Sequence, residues 1–456
     1  MRFVASFTVI ISCFIIFQSN IYAQGLFESA GRDSASSGAG NKQTKSFSVG
    51  GYIKGSLCGG QNSDNDAIIS CANAQVSLKL DAQKSDLGEA FAEVRCNAGK
   101  IRDSASITCD VREAWVSVSP GPFDIKLGRQ IVAWGRADAI NPTNNITPKD
   151  QTVLSPEFDD TRLGNELLQV RAKVGQSSIQ GIWIPCYRPD VLPLAGAEIP
   201  AGITIGEPDY PDIRFRNGGY AFRWELTLPS VDGSVSYFNG YTTLPGFDFS
   251  LGQTSLTLIP HAYRTHIFGA DFSTAIGSFG LRGEAAFRYP FDEYDKHVYV
   301  PNPFVHYVLG IDRTFSEWTI LLQYSGLYVI DYQEIVEPVL TDPFDPGAQA
   351  LYFAALASNE IRRLNRLFTG TSDEVSHALT GNIEWNTLYE TLHLKLAGMY
   401  NFTTKDYVIN PSVSYDIADA VNLAVGGRYI DGPDEELNNM VSNLMSFVYT
   451  ELTVYF

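Results

Sequence analysis

The densest gathering of charged side chains in this chain lies between Ile125 and Arg171, opening I-K-L-G-R-Q-I-V-A-W-G-R-A-D-A-I-N-P-T-N-N-I-T-P-K-D. Arg129, Arg136, Lys149 and Arg162 are interspersed there with Asp138, Asp150, Asp159 and Asp160. Asn141-Pro142, Thr147-Pro148 and Ser155-Pro156 punctuate the same stretch. Proline removes a ladder donor and restricts the residue before it, so 136–165 reads as a long connection and not as a strand. Connections of this length in compact folds are usually functional or disordered. Charges of both signs at this density argue against plain disorder and suit the sorting of ions. Two arrangements fit: the segment folds inward, with Arg129, Arg136 and Arg162 facing Asp138, Asp159 and Asp160 across a passage, or it forms a solvent-facing lid whose charges pair locally.

Bond-breaking chemistry has little support. The sequence contains no His-x-x-Glu-His, no Gly-x-Ser-x-Gly, no Cys-x-x-Cys-His and no phosphate-binding glycine loop. Its six histidines, at 261, 266, 297, 306, 377 and 393, are scattered. A membrane-embedded hydrolase assembling Ser and His from neighbouring strands would need no linear motif, but the reading here is of a protein that is not an enzyme.

Cysteine spacing points to an oxidising compartment. Cys58 and Cys71 are thirteen apart, as are Cys96 and Cys109, and each pair sits at the mouth of an expected hairpin. Disulfides stapling each hairpin fit this pattern, with crosswise pairing of adjacent hairpins as the alternative. Zinc spacings are shorter and usually include His. Cys186 is left over as a buried thiol or a link to another chain. The run Asp431-Gly-Pro-Asp-Glu-Glu436 is either a Ca²⁺ site in an acidic outer loop or a solvated acidic loop.

The elements that must position these residues alternate with period two. The last twelve residues, M-S-F-V-Y-T-E-L-T-V-Y-F, place Val448, Leu452, Val454 and Phe456 on one parity and Tyr449, Glu451, Thr453 and Tyr455 on the other. Similar segments cover 47–57, 70–81, 89–97, 107–119, 124–135, 166–175, 178–186, 218–229, 233–243, 264–276, 279–290, 303–314, 318–330, 376–387, 391–402, 407–417, 420–430 and 444–456. Connections after even-numbered segments are short, while those at 136–165, 187–217, 331–375 and 431–443 are long. That sorting by parity suits an all-β, antiparallel up-and-down transmembrane barrel of about eighteen strands, sixteen being the alternative count. A two-sheet sandwich has no reason to sort its loops so.

The faces agree with a barrel. Tyr220, Phe222, Trp224, Leu226 and Leu228 form one apolar stripe, Phe279, Leu281, Ala285, Phe287 and Tyr289 another, and Leu392, Leu394, Leu396 and Tyr400 a third. Their opposite parities carry Arg223 and Glu225, Arg282, Glu284 and Arg288, and His393 and Lys395; Arg428 joins this inward, lumen-lining set. Burying so many charges in a soluble core would cost several kcal/mol each unless paired, and a wet lumen removes that cost. Residues 347–368, between Pro346-Gly347 and Gly370, read as a helix inside a long loop, with Leu356, Ile361, Leu364 and Leu367 packing at the barrel mouth or plugging the lumen.

The ends and the composition set the compartment. Arg2, the apolar run Phe3 to Phe17 and the small-residue stretch to Ala23 read as a signal peptide over 1–23, a lipoprotein cleavage before Cys13 being the alternative. Residues 24–46, rich in Ser, Gly, Ala and Lys, read as a flexible periplasmic leader, and 47–456 as the barrel. No later window holds 18 consecutive apolar residues. A net charge of −18 excludes nucleic acid as a partner.

Two resemblances sharpen this. An alternating last strand closed by an aromatic looks like the C-terminal strand of outer-membrane barrels, which implies the barrel assembly machinery as a partner. The motif L-G-R-Q-x-x-x-W-G-x-A-D-x-x-N-P, with Asp159-Asp160-x-Arg162 and the preceding Arg112-Glu113-Ala114-Trp115, resembles a group of Gram-negative outer-membrane barrel proteins distantly similar to alginate-export-type and other substrate-specific porins. The resemblance implies an outer-membrane channel in a diderm bacterium, in contact with lipid and a lipopolysaccharide-type leaflet. Small hydrophilic solutes, organic acids or saccharides, are its expected cargo. A plugged transporter of hydrophobic substrates and a barrel sheathing a partner protein are the alternatives. Monomer and trimer both remain open.

Overall fold

A computed structural model describes residues 46–456 except 62–65, 85–87, 102–103, 139, 154, 156–157, 193–201, 253–254, 434–441 and 443–444. The expected signal peptide and nearly all of the expected 24–46 leader fall outside the described residues, as does half of the acidic 431–436 run. The strands in chain order are β1 (Ser46–Gln61), β2 (Ala67–Lys84), β3 (Gly88–Ile101), β4 (Ser104–Val118), β5 (Phe123–Gln130), β6 (Asn165–Val174), β7 (Ser177–Ile184), β8 (Ile203–Ile205), β9 (Gly219–Thr227), β10 (Val231–Tyr241), β11 (Gly246–Leu251), β12 (Leu256–His261), β13 (Arg264–Ile276) and β14 (Phe279–Pro290). They continue with β15 (Phe304–Phe315), β16 (Trp318–Val329), β17 (Val375–Thr387), β18 (Leu392–Asn401), β19 (Tyr407–Ala418), β20 (Val421–Asp431) and β21 (Phe447–Tyr455).

Eighteen of these form one antiparallel sheet that closes on itself through β1 and β21. The closure reaches the final residue: Gly51 N donates to Phe456 O (2.9 Å) and Phe456 N to Gly51 O (3.1 Å). Among the described residues each strand of this eighteen-stranded sheet has a neighbour on both sides, which is what a sheet in hydrocarbon requires, because no water is there to satisfy an unpaired N–H. Parity does the rest. On β21 Val448, Leu452 and Val454 face outward and are exposed, whereas Tyr449, Glu451 and Thr453 are buried within.

The same alternation recurs on β9 and β14, whose outward Tyr220, Phe222, Trp224, Phe279 and Tyr289 are exposed. On β14 the aromatics Phe279 and Tyr289 are ten residues apart. At about 3.4 Å per residue and a tilt near 40°, that is roughly 26 Å, the height of an outer-membrane apolar band between its aromatic girdles.

Each pair of cysteines stands opposite in the ladder, Cys58 to Cys71 and Cys96 to Cys109. Disulfides therefore join the cysteines within each hairpin and not crosswise. They lie toward the outer ends of β1 to β4, the longest run of strands in the wall. Cys186 is unbonded and half-buried.

Over the outer mouth sits a small second unit. Strands β11, β12 and β8 form a three-stranded sheet, with β8 parallel to β12. Helix α1 (Pro346–Thr369) packs on it, started by Asp345, whose carboxylate accepts from Gly347 N and Ala348 N, and ended by Gly370 at φ 71°. The buried stripe is Ala357, Ile361, Leu364 and Phe368 against Ile203, Phe247, Leu256 and Leu258. Leu356 and Leu367, expected in that stripe, are only half-buried. The face actually used is centred one residue further round, because Asn365 turns inward to bond Phe247 N (2.7 Å), Phe247 O (2.8 Å) and Val298 O (2.8 Å).

Candidate functional site in the lumen

The sequence pattern carries β5 to Gly135, but the strand stops at Gln130 and the chain turns into the barrel. Side chains take over the departing backbone. Ile131 N donates to Glu113 Oε1 (2.9 Å), and Val132 exchanges bonds with Thr147, whose Oγ1 accepts from Val132 N (2.9 Å) and donates to Val132 O (2.7 Å). Buried Trp134 donates Nε1–H to Gln180 Oε1 (3.0 Å). Val132, Trp134 and Ile146 pack on inward wall residues Leu167, Ile182, Ala221, Phe238, Ile267 and Ala286. An apolar patch of the inner wall thus receives the first limb of the loop.

The next residues fasten the loop to the far wall. Glu284 on β14 accepts three backbone N–H groups, from Arg136 (3.1 Å), Ala137 (3.2 Å) and Thr143 (2.6 Å). Gly135 makes this approach feasible: its φ is +97°, and a Cβ there would lie 2.5 Å from Glu284 Oε2. Arg136 reaches Glu225 (2.5 Å) and Asp271 (2.8 Å) on β9 and β13. Asp138 pairs with Arg282, which also contacts Asp312 (3.4 Å). Burial pushes the Asp138 carboxyl up, against the pull of Arg282. Gln323 accepts from Asp138 N (3.3 Å) and donates to Ile140 O (3.0 Å), while Ala137 and Ile140 pack on Val308, Leu321 and Ala397. Arg288 donates to Pro142 O (3.2 Å) and to Asn145 Oδ1.

The return limb is tied to the opposite wall. Asp159 accepts from Arg112 (2.9 Å) and Arg162 (3.1 Å). Asp160 accepts from Lys54 (2.7 Å), Arg95 (2.7 Å) and Ser155 (2.7 Å). Burial alone would push Asp160 up, but the Lys54 and Arg95 charges hold it below the usual carboxylate range. Lys149 stands half-buried beside buried Asp190, which accepts Lys149 N (2.9 Å); desolvation lowers the ammonium and raises Asp190. Asp150 accepts from Thr152 N (2.9 Å) and Oγ1 (2.6 Å), and burial raises it too.

The charges therefore meet differently from the expected cross-passage set. Of the pairings among Arg129, Arg136, Arg162, Asp138, Asp159 and Asp160, only Arg162 to Asp159 forms, and it is a local contact. The others meet wall residues, because a loop crossing a barrel is surrounded by inward side chains and satisfies its charges on them. Arg129 belongs to the rim, bonded to Glu166 (2.6 Å) and Asp110 (3.2 Å). Arg223, Glu225, Arg282, Glu284 and Arg288 all face the loop. Lys395 stands opposite Glu384 on β17, and Arg428 donates to Asn410 Oδ1 (3.2 Å) over the Phe447 ring; neither borders the main cavity. Sequence reading passed over Lys54, Arg95, Asp271 and Gln323, although their inward parity was a usable signal.

Between the loop, the wall and the cap lies a cavity of about 1040 Å³. It runs from Phe368 and Leu244 at the outer mouth down to Arg223, Glu225 and Ser273 beside the loop.

A closed eighteen-stranded cylinder, apolar outside, charged inside and crossed by one folded loop, is an outer-membrane β-barrel of the porin type. Within that class, a family model described as "Protein of unknown function (DUF1302)" matches residues 32–334, and the chain belongs to this family. A search of curated proteins found no match. Among solved structures, Pseudomonas aeruginosa OccK9 (OpdG) superposes with a TM-score of 0.53 at 6% identity, over 90% of this chain and 97% of that one. A BenF-like porin from Pseudomonas fluorescens Pf-5 gives 0.53 at 10% identity, over 91% and 99%. Acinetobacter baumannii OccAB1 gives 0.53 at 7%, over 90% and 96%. At such identities the likeness is one of fold. The specific motif and the relation to alginate-export-type porins find no separate support in these matches.

Proposed function

We propose that the protein is an outer-membrane channel through which small hydrophilic solutes pass beside the lumen loop, with organic acids preferred over saccharides. The observation that carries this is the charge of the cavity lining. Seven cations border it, Arg136, Lys149, Arg162, Arg171, Arg223, Arg282 and Arg288, against five carboxylates, Glu113, Asp138, Asp159, Asp190 and Glu225. The excess is two positive charges inside a chain whose net charge is −18. In a narrow lumen with low-dielectric walls, fixed charges replace part of a solute's hydration and set which sign of ion enters. The folded loop sets the size limit, held in place by the Glu284, Arg136 and Asp138 contacts. Membrane insertion through the assembly machinery, guided by the β21 end, belongs to the same reading.

A closed plug is the rival reading, favoured by one observation: the loop touches the β9 to β18 wall on one side and, through Asp160, Lys54 and Arg95 on the other. Single-channel recording in planar bilayers separates the two. Steady current with an anion-weighted reversal potential is the expected result, and silence favours the plug.

A further inference from the structure

On the outside of the barrel, one stretch of surface joins cations to uncovered apolar side chains. On β7 the lumen-facing Ile182 and Ile184 bracket Trp183, which therefore points out of the wall at the outer end of the strand. Residues 212–218, leading into β9, lie over this indole. The Phe215 ring stands 5.4 Å from it, and a Cβ on Gly218 would meet Trp183 Nε1 at 2.9 Å. Arg264 on β13 fastens the segment, donating to Arg216 O (3.4 Å), Gly218 O (3.0 Å) and Asn239 Oδ1 (2.7 Å). Tyr289 marks the outer aromatic girdle, His266 is its ladder partner, and Arg264 lies two residues further out, where headgroups begin. Ile213 and Phe215 are 78% and 73% exposed, with exposed Arg214 and Arg216 alternating between them.

Asp212 pairs with Arg214 (2.8 Å), Arg264 bonds only neutral oxygens, and Arg216 forms no ion pair among the described residues. The stretch therefore carries an excess of two positive charges on a chain whose net charge is −18. The acidic turn Asp292-Glu293 begins on its other side, beyond Phe291, and Lys296 pairs with Glu293 there. Bare Ile and Phe side chains at the rim of an apolar band are stable where hydrocarbon meets headgroups, and the arginines between them then stand at phosphate depth. A guanidinium fork matches a phosphate, and the nearby hydrocarbon strengthens the attraction. We propose that residues 212–218, held by Arg264, form a docking site for an outer-leaflet lipid with a phosphorylated headgroup. Its phosphate meets Arg216 and the neighbouring Arg214, and its acyl chains lie against Ile213 and Phe215. This goes beyond the channel reading and holds whether or not the lumen conducts.

The test titrates the full chain, solubilised in a zwitterionic detergent, with lipid A bearing its phosphates, with the same lipid after enzymatic dephosphorylation, with phosphatidylcholine and with inorganic phosphate. Phosphorylated lipid A is expected to bind saturably, the other two lipids about tenfold or more weaker, and inorganic phosphate not measurably. Arg216→Gln weakens phosphorylated lipid A about fivefold, the usual share of one arginine at an anionic lipid surface, and Arg214→Gln with Arg216→Gln weakens it more than about tenfold. Arg216→Lys keeps part of the binding. Ile213→Ser with Phe215→Ser weakens both forms of lipid A. Lys296→Gln, which removes an exposed rim cation outside the stretch, leaves every midpoint unchanged. Undiminished binding by the double arginine variant in protein that keeps its heat-modifiable barrel mobility overturns the site. An equal loss from Lys296→Gln, lipid binding indifferent to Ile213→Ser with Phe215→Ser, or inorganic phosphate binding as tightly as the lipid does so too.

Discussion

Removing the Glu284 carboxylate should free the lumen loop. In Glu284→Ala the N–H groups of Arg136, Ala137 and Thr143 lose their acceptor in a place the wall shields from water. An orphaned buried donor costs about 1–3 kcal/mol, so three give roughly 3–9 kcal/mol if independent and less when neighbouring ties relax together. Arg136 to Asp271 and Asp138 to Arg282 still hold the segment, so the lower end applies. Even about 3 kcal/mol raises the detached population more than about a hundredfold. The barrel wall is untouched, so heat-modifiable mobility and strand content stay as in the parent. Single-channel recording should then show larger conductance and flickering between two levels, with Glu284→Gln intermediate because its amide oxygen still accepts. A Glu284→Ala channel with the parent's conductance and quiet baseline would refute the claim that this loop sets the aperture.

Three further outcomes follow from the same geometry. Gly135→Ala puts a side chain at φ +97° and against Glu284, so it should reproduce the larger conductance in milder form, read in the same recordings. Asp160 has its pKa held down in the folded chain, so its ties to Lys54 and Arg95 contribute stability that is present above the ordinary aspartate range and lost as pH falls through the folded value. Acid-induced current noise should therefore begin below about pH 4, and Asp160→Asn should show it already at neutral pH. Arg162→Glu changes the cavity lining from seven cations and five carboxylates to six of each, so the anion preference should fall toward none, measured as a reversal potential under a salt gradient.

Much of the wall was legible because a strand's period is local: Phe222 and Arg223, or Phe287 and Arg288, declare their faces to the nearest neighbour. Loop parity likewise called for an even count, about eighteen with sixteen as the alternative, and the closed sheet has eighteen strands. What parity leaves out is which inward charges meet. Arg136 finds Glu225 and Asp271 across separations of 89 and 135 residues, and nothing in the spacing of W-G-R-A-D marks those partners. The early end of β5 was hidden for a related reason, since Ile131 to Gly135 keep a strand-like alternation while their hydrogen bonds go to Glu113 and Thr147. In α1 the propensity, the opening Pro346-Gly347 and the closing Gly370 were readable, whereas the Asp345 cap was not singled out and the buried face was displaced by Asn365, a polar residue that keeps its inward place only through the β11 backbone it bonds.

The account rests on an aperture inside a closed ring, and the salt-gradient reversal potential of the purified full chain in a planar bilayer tests it most directly. A steady current whose reversal potential reports anions moving faster than cations is expected, despite the acidic character of the chain as a whole. No current, or a current carried mainly by cations, would contradict it.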